Sequence, residues 1–222
     1  MRKSIFYKNT KSFLGLTGGI ESTATLKYLL DETDNIVYTH FVKLNDGSGK
    51  CLREEQAVNK VVEYFHNQGY KFEHSTTEVN MEHIVYSDAT FWAFFITQKM
   101  IQQLVSDAKP EEYSYEVVWG LNDECYTKGM YDFQDRFNQI DRIITACCEN
   151  ENVSWMANRN VSWYLDDKSK KECYDYLPNE LKNIVWSCRN PIFIGEDRKN
   201  PNSWKVCGEC LGCIDRKNGE IK

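Results

Sequence analysis

Phe13-Leu14-Gly15-Leu16-Thr17-Gly18-Gly19-Ile20-Glu21-Ser22-Thr23 decides the architecture. Phe13 to Leu16 is a short apolar strand. Thr17-Gly18-Gly19 is a glycine turn. Ser22 to Leu30 then reads as a helix, with Ala24, Leu26, Leu29 and Leu30 at apolar positions. A strand that passes through a glycine turn into a helix is the opening unit of a parallel α/β sheet.

The rest of the chain repeats that alternation. Ile36 to Val42 is β-branched and aromatic, a second strand. Arg53 to Phe65 carries Ala57, Val58, Val61, Val62 and Phe65 at helical spacing. Lys71 to Val79 is a weaker third strand. Ala89 to Val105 is a long apolar helix, Tyr115 to Trp119 a fourth strand ended by Gly120, and Phe133 to Cys148 a further helix. The fold class is therefore α/β, a parallel Rossmann-like sheet with helices on both faces. Ligands of such sheets bind beyond the carboxyl ends of the strands. The loops after Leu16, Val42 and Trp119 are expected on one rim.

Composition narrows the function. The 222 residues suit one domain, or one domain with a small appendix. A net charge of -6 argues against a general nucleic-acid binder. No apolar run approaches the roughly 20 residues that span a bilayer. The basic start, Met1 to Phe13, has no apolar segment of a secretory signal. The expectation is an intracellular, cytoplasmic protein with no membrane and no nucleic-acid partner.

The glycine turn has the chemistry of an anion site. Glycines let the backbone approach a phosphate closely, and the N–H groups that open the helix point at it. Thr17, Ser22 and Thr23 add hydroxyls, and Glu21 adds a carboxylate suited to Mg2+. The Gly-x-x-x-x-Gly-Lys pattern of a Walker loop is absent, as is Gly-x-Gly-x-x-Gly. A strand-to-helix turn capped by a hydroxyl is the bland alternative.

Nine cysteines stand at 51, 125, 147, 148, 173, 188, 207, 210 and 213. Cys207-x-x-Cys210-x-x-Cys213, with Cys188 upstream, offers four thiolates, with Gly208 and Gly212 between ligands where turns are tight. Four sulfurs in that spacing suit a closed structural Zn2+ site. An iron–sulfur cluster is possible on count alone. Cys125, Cys147 and Cys148 have no evident base beside them and read as core thiols.

Two segments together carry a resemblance. Thr17-Gly18-Gly19-Ile20-Glu21-Ser22-Thr23 resembles the N-type ATP pyrophosphatase signature, Ser-Gly-Gly-x-Asp-Ser followed by Ser or Thr, with Glu21 where the family has Asp. Trp186-Ser187-Cys188-Arg189 and Cys207-Gly208-Glu209-Cys210-Leu211-Gly212-Cys213, followed by Arg216, resemble the ending of 7-cyano-7-deazaguanine synthases. The gap from Cys188 to Cys207 is longer than in that family, as an insertion around Gly195 to Asn202 would explain. Between the ends, Trp119-Gly120-Leu121-Asn122-Asp123 resembles the family's Gly-x-Asn segment. Asp132 and Phe137 match a downstream Asp and Phe, although Gln134 stands where the family has Arg. Arg136, two residues on, is the alternative to it. Ser169-Lys170-Lys171-Glu172 resembles a Ser-Lys-x-Glu element whose Lys reaches the phosphates; Lys168 or Lys171 are alternatives. The family's Arg-Asn element is not evident near Ala89 to Trp92.

The resemblance implies an adenine nucleotide alpha hydrolase-like domain over 1–185 and a four-cysteine element over 186–222. It implies ATP held at Leu16, Thr17, Gly18, Gly19, Ile20, Glu21, Ser22 and Thr23, with His40 beside it. It implies Glu21, Lys170, Asp123 and Asp132 in catalysis, with Mg2+ on Glu21, and Cys188, Cys207, Cys210 and Cys213 on Zn2+. The implied reaction is ATP-dependent conversion of 7-carboxy-7-deazaguanine and ammonia to 7-cyano-7-deazaguanine through an adenylated intermediate, in a homodimer. The product would serve tRNA queuosine or a modified DNA. Stopping at the amide, another carboxylate, a tRNA sulfur-transfer enzyme, which the net charge of -6 disfavours, or non-catalytic nucleotide binding are the alternatives.

Overall fold

The computed structural model describes residues 9–81, 88–120, 133–150 and 160–218. Five parallel strands form the sheet: β1 (Thr10–Gly15), β2 (Ile36–Asn45), β3 (Glu73–Asn80), β4 (Ser114–Val118) and β5 (Asn160–Ser162). Their order is β3-β2-β1-β4-β5. The helices are α1 (Ile20–Glu32), α2 (Lys50–Asn67), α3 (Asp88–Ser106) and α4 (Phe133–Asn150). Two short helices, α5 (Lys170–Tyr176) and α6 (Asn179–Lys182), follow β5.

The chain steps from β1 outward to β2 and β3, then returns through α3 to the other side of β1. Right-handed crossovers then put α1 and α2 on one face of the sheet and α3 and α4 on the other. Helix α3 packs across β1, β2 and β4 and against α4, while α2 packs on β2. The central strands are buried on both faces, so they read as near-continuous apolar runs: Phe13 and Leu14 in β1, Val117 and Val118 in β4. Helix α3 supplies Trp92, Ala93, Ile96, Met100, Ile101 and Leu104 to the core at helical spacing.

Element ends shift by up to three residues from the sequence reading. Strand β2 continues past Val42 to Asn45, because Lys43 is held by Glu55 at 3.1 Å and Glu78 at 3.4 Å. Strand β3 is an edge strand, half exposed along its length, and its composition is correspondingly polar.

A buried carboxylate ties the lower part of the sheet together. Glu116 of β4 is 4% exposed. It accepts from Ser12 Oγ at 2.5 Å, Tyr164 OH at 2.7 Å, Asn35 Nδ2 at 3.2 Å, and Ser162 Oγ. These donors come from β1, the entry to β2, β5 and the segment after β5. The burial cost of the charge is offset by hydrogen bonds rather than by a counter-ion.

The long gap between Cys188 and Cys207 folds as an antiparallel ribbon of β6 (Ile192–Phe193) and β7 (Trp204–Lys205). It docks on α2 through Gln56 Nε2, which donates to Asn202 Oδ1 at 3.1 Å. Helix α7 (Leu211–Asn218) ends the described chain.

Candidate functional site

The sheet's order reverses between β1 and β4, and the crevice outside a reversal is where open α/β sheets bind ligands. The loop from Leu16 to Gly19 lies at that point. Its entry is fixed by Leu16 N–H, which donates to His40 O at 3.0 Å. The loop after β4 closes against it, since a Cβ on Gly120 would stand 2.6 Å from Ser22 Cα.

Gly18 has φ +70°, a conformation that glycine adopts without the Cβ penalty. A side chain there would also meet Ala57 Cβ at 2.8 Å. Gly19 is the N-cap of α1, and no side chain caps the helix. The amides that open α1 therefore face outward with the positive end of the helix dipole. Hydroxyls line the turn: Thr17 Oγ1 and Ser22 Oγ are 3.0 Å apart, Gly19 N–H donates to Thr17 Oγ1 at 3.3 Å, and Thr17 N–H donates to Ser22 Oγ at 3.2 Å. Leu16 and Ile20 are fully buried, so only their backbone faces the site. Thr23 Oγ1 is buried and finds no hydrogen-bond partner among the described residues.

A cation reaches this loop from far along the chain. Lys170 Nζ lies 3.1 Å from Glu21 Oε1, and both side chains are largely buried. Helix α5 delivers Lys170 at its first position. Its N-cap Ser169 forms a capping box with Glu172, which fixes the start of the helix. The neighbouring lysines go elsewhere: Lys168 pairs with Asp167 and Lys171 with Asp175, both exposed. Of the three lysines in the run, Lys170 alone meets the glycine loop.

His40 lies mid-strand, 3% exposed, opposite Gly15 in register. Its Nδ1 is 2.8 Å from Ser75 Oγ, and Nε2 has no partner among the described residues. It lines a cavity of about 200 Å³ with Tyr38, Ser75, Lys99 and Gln103. Burial, and then the charge of Lys99, pushes its imidazole down to about 4. Its backbone carbonyl, rather than its ring, touches the loop. Asp123 and Asp132 lie outside the described residues.

The four predicted cysteines converge. Their Sγ atoms all lie within 4.8 Å of one another. Cys188 to Cys207 is 3.6 Å, Cys207 to Cys213 is 3.9 Å and Cys210 to Cys188 is 3.9 Å. Backbone amides aim at the sulfurs: Arg189 N–H at Cys210, Cys207 N–H at Cys188, and Cys210 N–H at Cys207, at 3.2 to 3.4 Å. Such donors favour thiolates. Burial opposes ionisation at Cys210, yet the Arg189 amide and neighbouring groups hold its thiol down to about 6. Four soft donors at this separation can hold a metal ion. Cys51, Cys147, Cys148 and Cys173 are buried elsewhere, as core thiols.

The two motifs meet. Trp186 N–H donates to Gly18 O at 2.8 Å, so the cysteine element touches the glycine loop directly. The Arg53 guanidinium stacks over the Trp186 ring at 4.4 Å. Sequence reasoning missed this contact, because a backbone bond leaves no side-chain signature. It also missed a rim cluster at the starts of α2 and α3, where Lys50 pairs with Asp88 at 2.5 Å and Glu54 at 3.6 Å.

No family model matches the chain, and no curated protein matches it. Among solved structures it is similar to the U34-tRNA thiolase NcsA from Methanococcus maripaludis with its 4Fe-4S cluster. The identity is 11%, over 94% of this chain and 80% of that one, with a TM-score of 0.32. The strand order β3-β2-β1-β4-β5 is that of a doubly wound parallel α/β sheet.

Proposed function

We propose that this chain is an ATP pyrophosphatase-type ligase that adenylates a carboxylate, with 7-carboxy-7-deazaguanine and ammonia as substrates and 7-cyano-7-deazaguanine as product. One observation carries the nucleotide reading. The uncapped start of α1 has a carboxylate and a lysine 3.1 Å apart across it, the lysine arriving from α5. A phosphate chain there would receive the amides that open α1, and Lys170 would leave Glu21 to meet the departing pyrophosphate. Preorganised donors of this kind act on charge as it develops. Glu21 is the residue that would hold Mg2+, since one of its oxygens faces Lys170 and the other lies beside Gly19. That ion would supply neutralisation of the phosphates.

The substrate carboxylate oxygen attacks the α-phosphorus, and pyrophosphate leaves. Ammonia then adds to the acyl carbon and expels AMP, giving the amide. A second adenylation, on the amide oxygen, lets AMP depart with loss of a proton to leave the nitrile. The deazaguanine substrate rests on the resemblance of the two motifs, at Thr17 to Thr23 and Cys188 to Cys213, which meet at Gly18.

We take the metal to be zinc. Zinc–sulfur bonds of about 2.3 Å put tetrahedral sulfurs about 3.8 Å apart; three of the six sulfur pairs here lie at 3.6 to 3.9 Å and all of them within 4.8 Å. A four-iron cluster binds each sulfur at a different corner and spreads them further.

Pyrophosphate and AMP release with ATP, ammonia and 7-carboxy-7-deazaguanine is the test, with mass spectrometry of the product. The expected result is the nitrile, lost in Glu21→Ala. Accumulated amide without nitrile would shorten the reaction by one step. ATP binding without pyrophosphate from any carboxylate would overturn the enzyme reading and leave a nucleotide-binding module.

A further inference from the structure

We propose that the four-cysteine element is the lock on the Gly18–Gly19 peptide, so that metal occupancy sets nucleotide affinity. The proposal rests on the loop being the ATP site.

The argument starts from the peptide itself. A trans peptide is planar, with its C=O and N–H on opposite sides. Whichever way Gly18 O points, Gly19 N–H points away from it. Only the orientation with Gly19 N–H turned into the loop offers a donor to a phosphate. Glycine on both sides removes the Cβ atoms that would resist a flip of this plane. The loop sequence therefore permits both orientations, and something outside it must choose.

Trp186 N–H makes the choice. It takes Gly18 O at 2.8 Å, and Gly19 N–H consequently turns toward Thr17 Oγ1 at 3.3 Å, within the ring of hydroxyls. Trp186 is in turn held from two sides. On one, Arg53 stacks on its ring and Ala57 packs against it. On the other, its Nε1 donates to Cys188 O at 2.9 Å, two residues along the chain. Between them, Ser187 O lies so close to Gly212 that a Cβ there would stand 1.9 Å away. Helix α7 thus braces the 186–188 segment, and α7 begins within the cysteine cluster. Arg216 of the same helix donates to Val185 O at 3.2 Å and Lys182 O at 3.3 Å. The path from sulfur to loop is a few covalent bonds and one hydrogen bond long. Without a metal, four thiols have no common partner to hold α7 against residue 187, and the Trp186 amide loses its fixed place. Trp186 is a positioning residue here, acting through its backbone.

The experiment measures hydrogen exchange over residues 16–24 and the ATP dissociation constant, with metal bound and after chelation. Metal loss is expected to speed exchange in 16–24 about tenfold while β1 and β4 stay protected. It should weaken ATP binding about five- to tenfold, the size of one backbone hydrogen bond. In the metal-loaded protein, Trp186→Pro removes the N–H and should reproduce both changes. Trp186→Phe restores the N–H and should recover most of the affinity. Unchanged exchange and affinity in a chelated protein with intact far-UV circular dichroism would overturn the proposal. If chelation unfolds the whole chain, the Pro and Phe variants decide alone, and equal behaviour of the two overturns it. Failure of the metal-loaded native chain to bind ATP would overturn the ATP reading instead, while the exchange measurement still decides the lock.

Discussion

Around the sheet, Phe13, Leu14, Phe41, Met100, Ile144 and Val117 bury apolar surface from five elements in one continuous core. Around the cysteines, the buried set shrinks to Ala57, Trp186, Cys188 and Cys213, with Cys207 and Cys210 against it, and Ala57 is lent by α2. Burial of an average apolar side chain contributes about 1.5–3 kcal/mol, while ordering each residue costs about 1–2 kcal/mol of backbone entropy alone. The sheet has enough of the first to offset the second. The segment from 186 to 218 does not, and four sulfurs are what it has instead. The difference teaches that one polypeptide carries two sources of order, in contact at Gly18 and along α2.

The strongest way to break this comparison is to remove the metal or substitute Cys210→Ser. In small zinc units the binding energy, about 10–16 kcal/mol, is the folding energy. Residues 186–218 should become protease-sensitive while the sheet keeps its circular dichroism. A cleavage pattern unchanged by chelation would show that the element has a sufficient core after all. Gly212→Ala comes next. Alanine normally stabilises a helix interior by about 1 kcal/mol over glycine. Here its Cβ meets Ser187 O, and overpacking should cost about 1–3 kcal/mol, read as a lower urea midpoint for the tail. Lys170→Ala acts at the junction. It removes one charge-assisted bond, so the ATP dissociation constant should rise at least about tenfold, with little change in melting temperature.

The smallest effect at neutral pH is acid sensitivity of the sheet. His40 is buried and His74 half-buried, and desolvation pushes both imidazoles down to about 4. The unfolded chain binds these protons first, from about pH 6.5 downward. Their contribution is complete above pH 6.5 and is lost as the pH falls toward 4. Between pH 7 and 6 the loss is under about 1 kcal/mol per histidine. His40→Asn should flatten the pH dependence of the urea midpoint by about half, and an unaltered slope would assign it to other groups.

Long elements announced themselves in the sequence because burial imposes periodicity. Helix α3 repeats its apolar residues from Trp92 to Leu104, and β4 carries Tyr115, Val117 and Val118 in five residues. Strand β5, helices α5 and α6 and the β6–β7 ribbon are two to seven residues long. Nothing that short completes enough periods to be read. The glycine loop and the cysteines were legible because their chemistry demands particular residues at fixed spacing. Lys170 was legible as a charge, but its partner Glu21 was not, since ion pairs across the fold have no sequence interval. His40 was legible as a residue type near the expected rim, but not the contact of its Nδ1 with Ser75 or the cavity that its ring lines.

Glu116 sits well below the rim, yet it governs accuracy at the rim. Strand β5 pairs with β4 over three residues, Asn160, Val161 and Ser162, and so short a ladder barely distinguishes the correct alignment from one shifted by a residue. Glu116 makes the distinction by accepting from Ser162 and Tyr164 together. A shift of one position would point the wrong face of β5 at it. It would also move the following chain by about 3.3 Å, as much as the whole separation of 3.1 Å between Lys170 and Glu21. The buried carboxylate therefore works as a ruler: it measures out the chain that leads to the lysine, and the tolerance of the site is set at the far end of the strand.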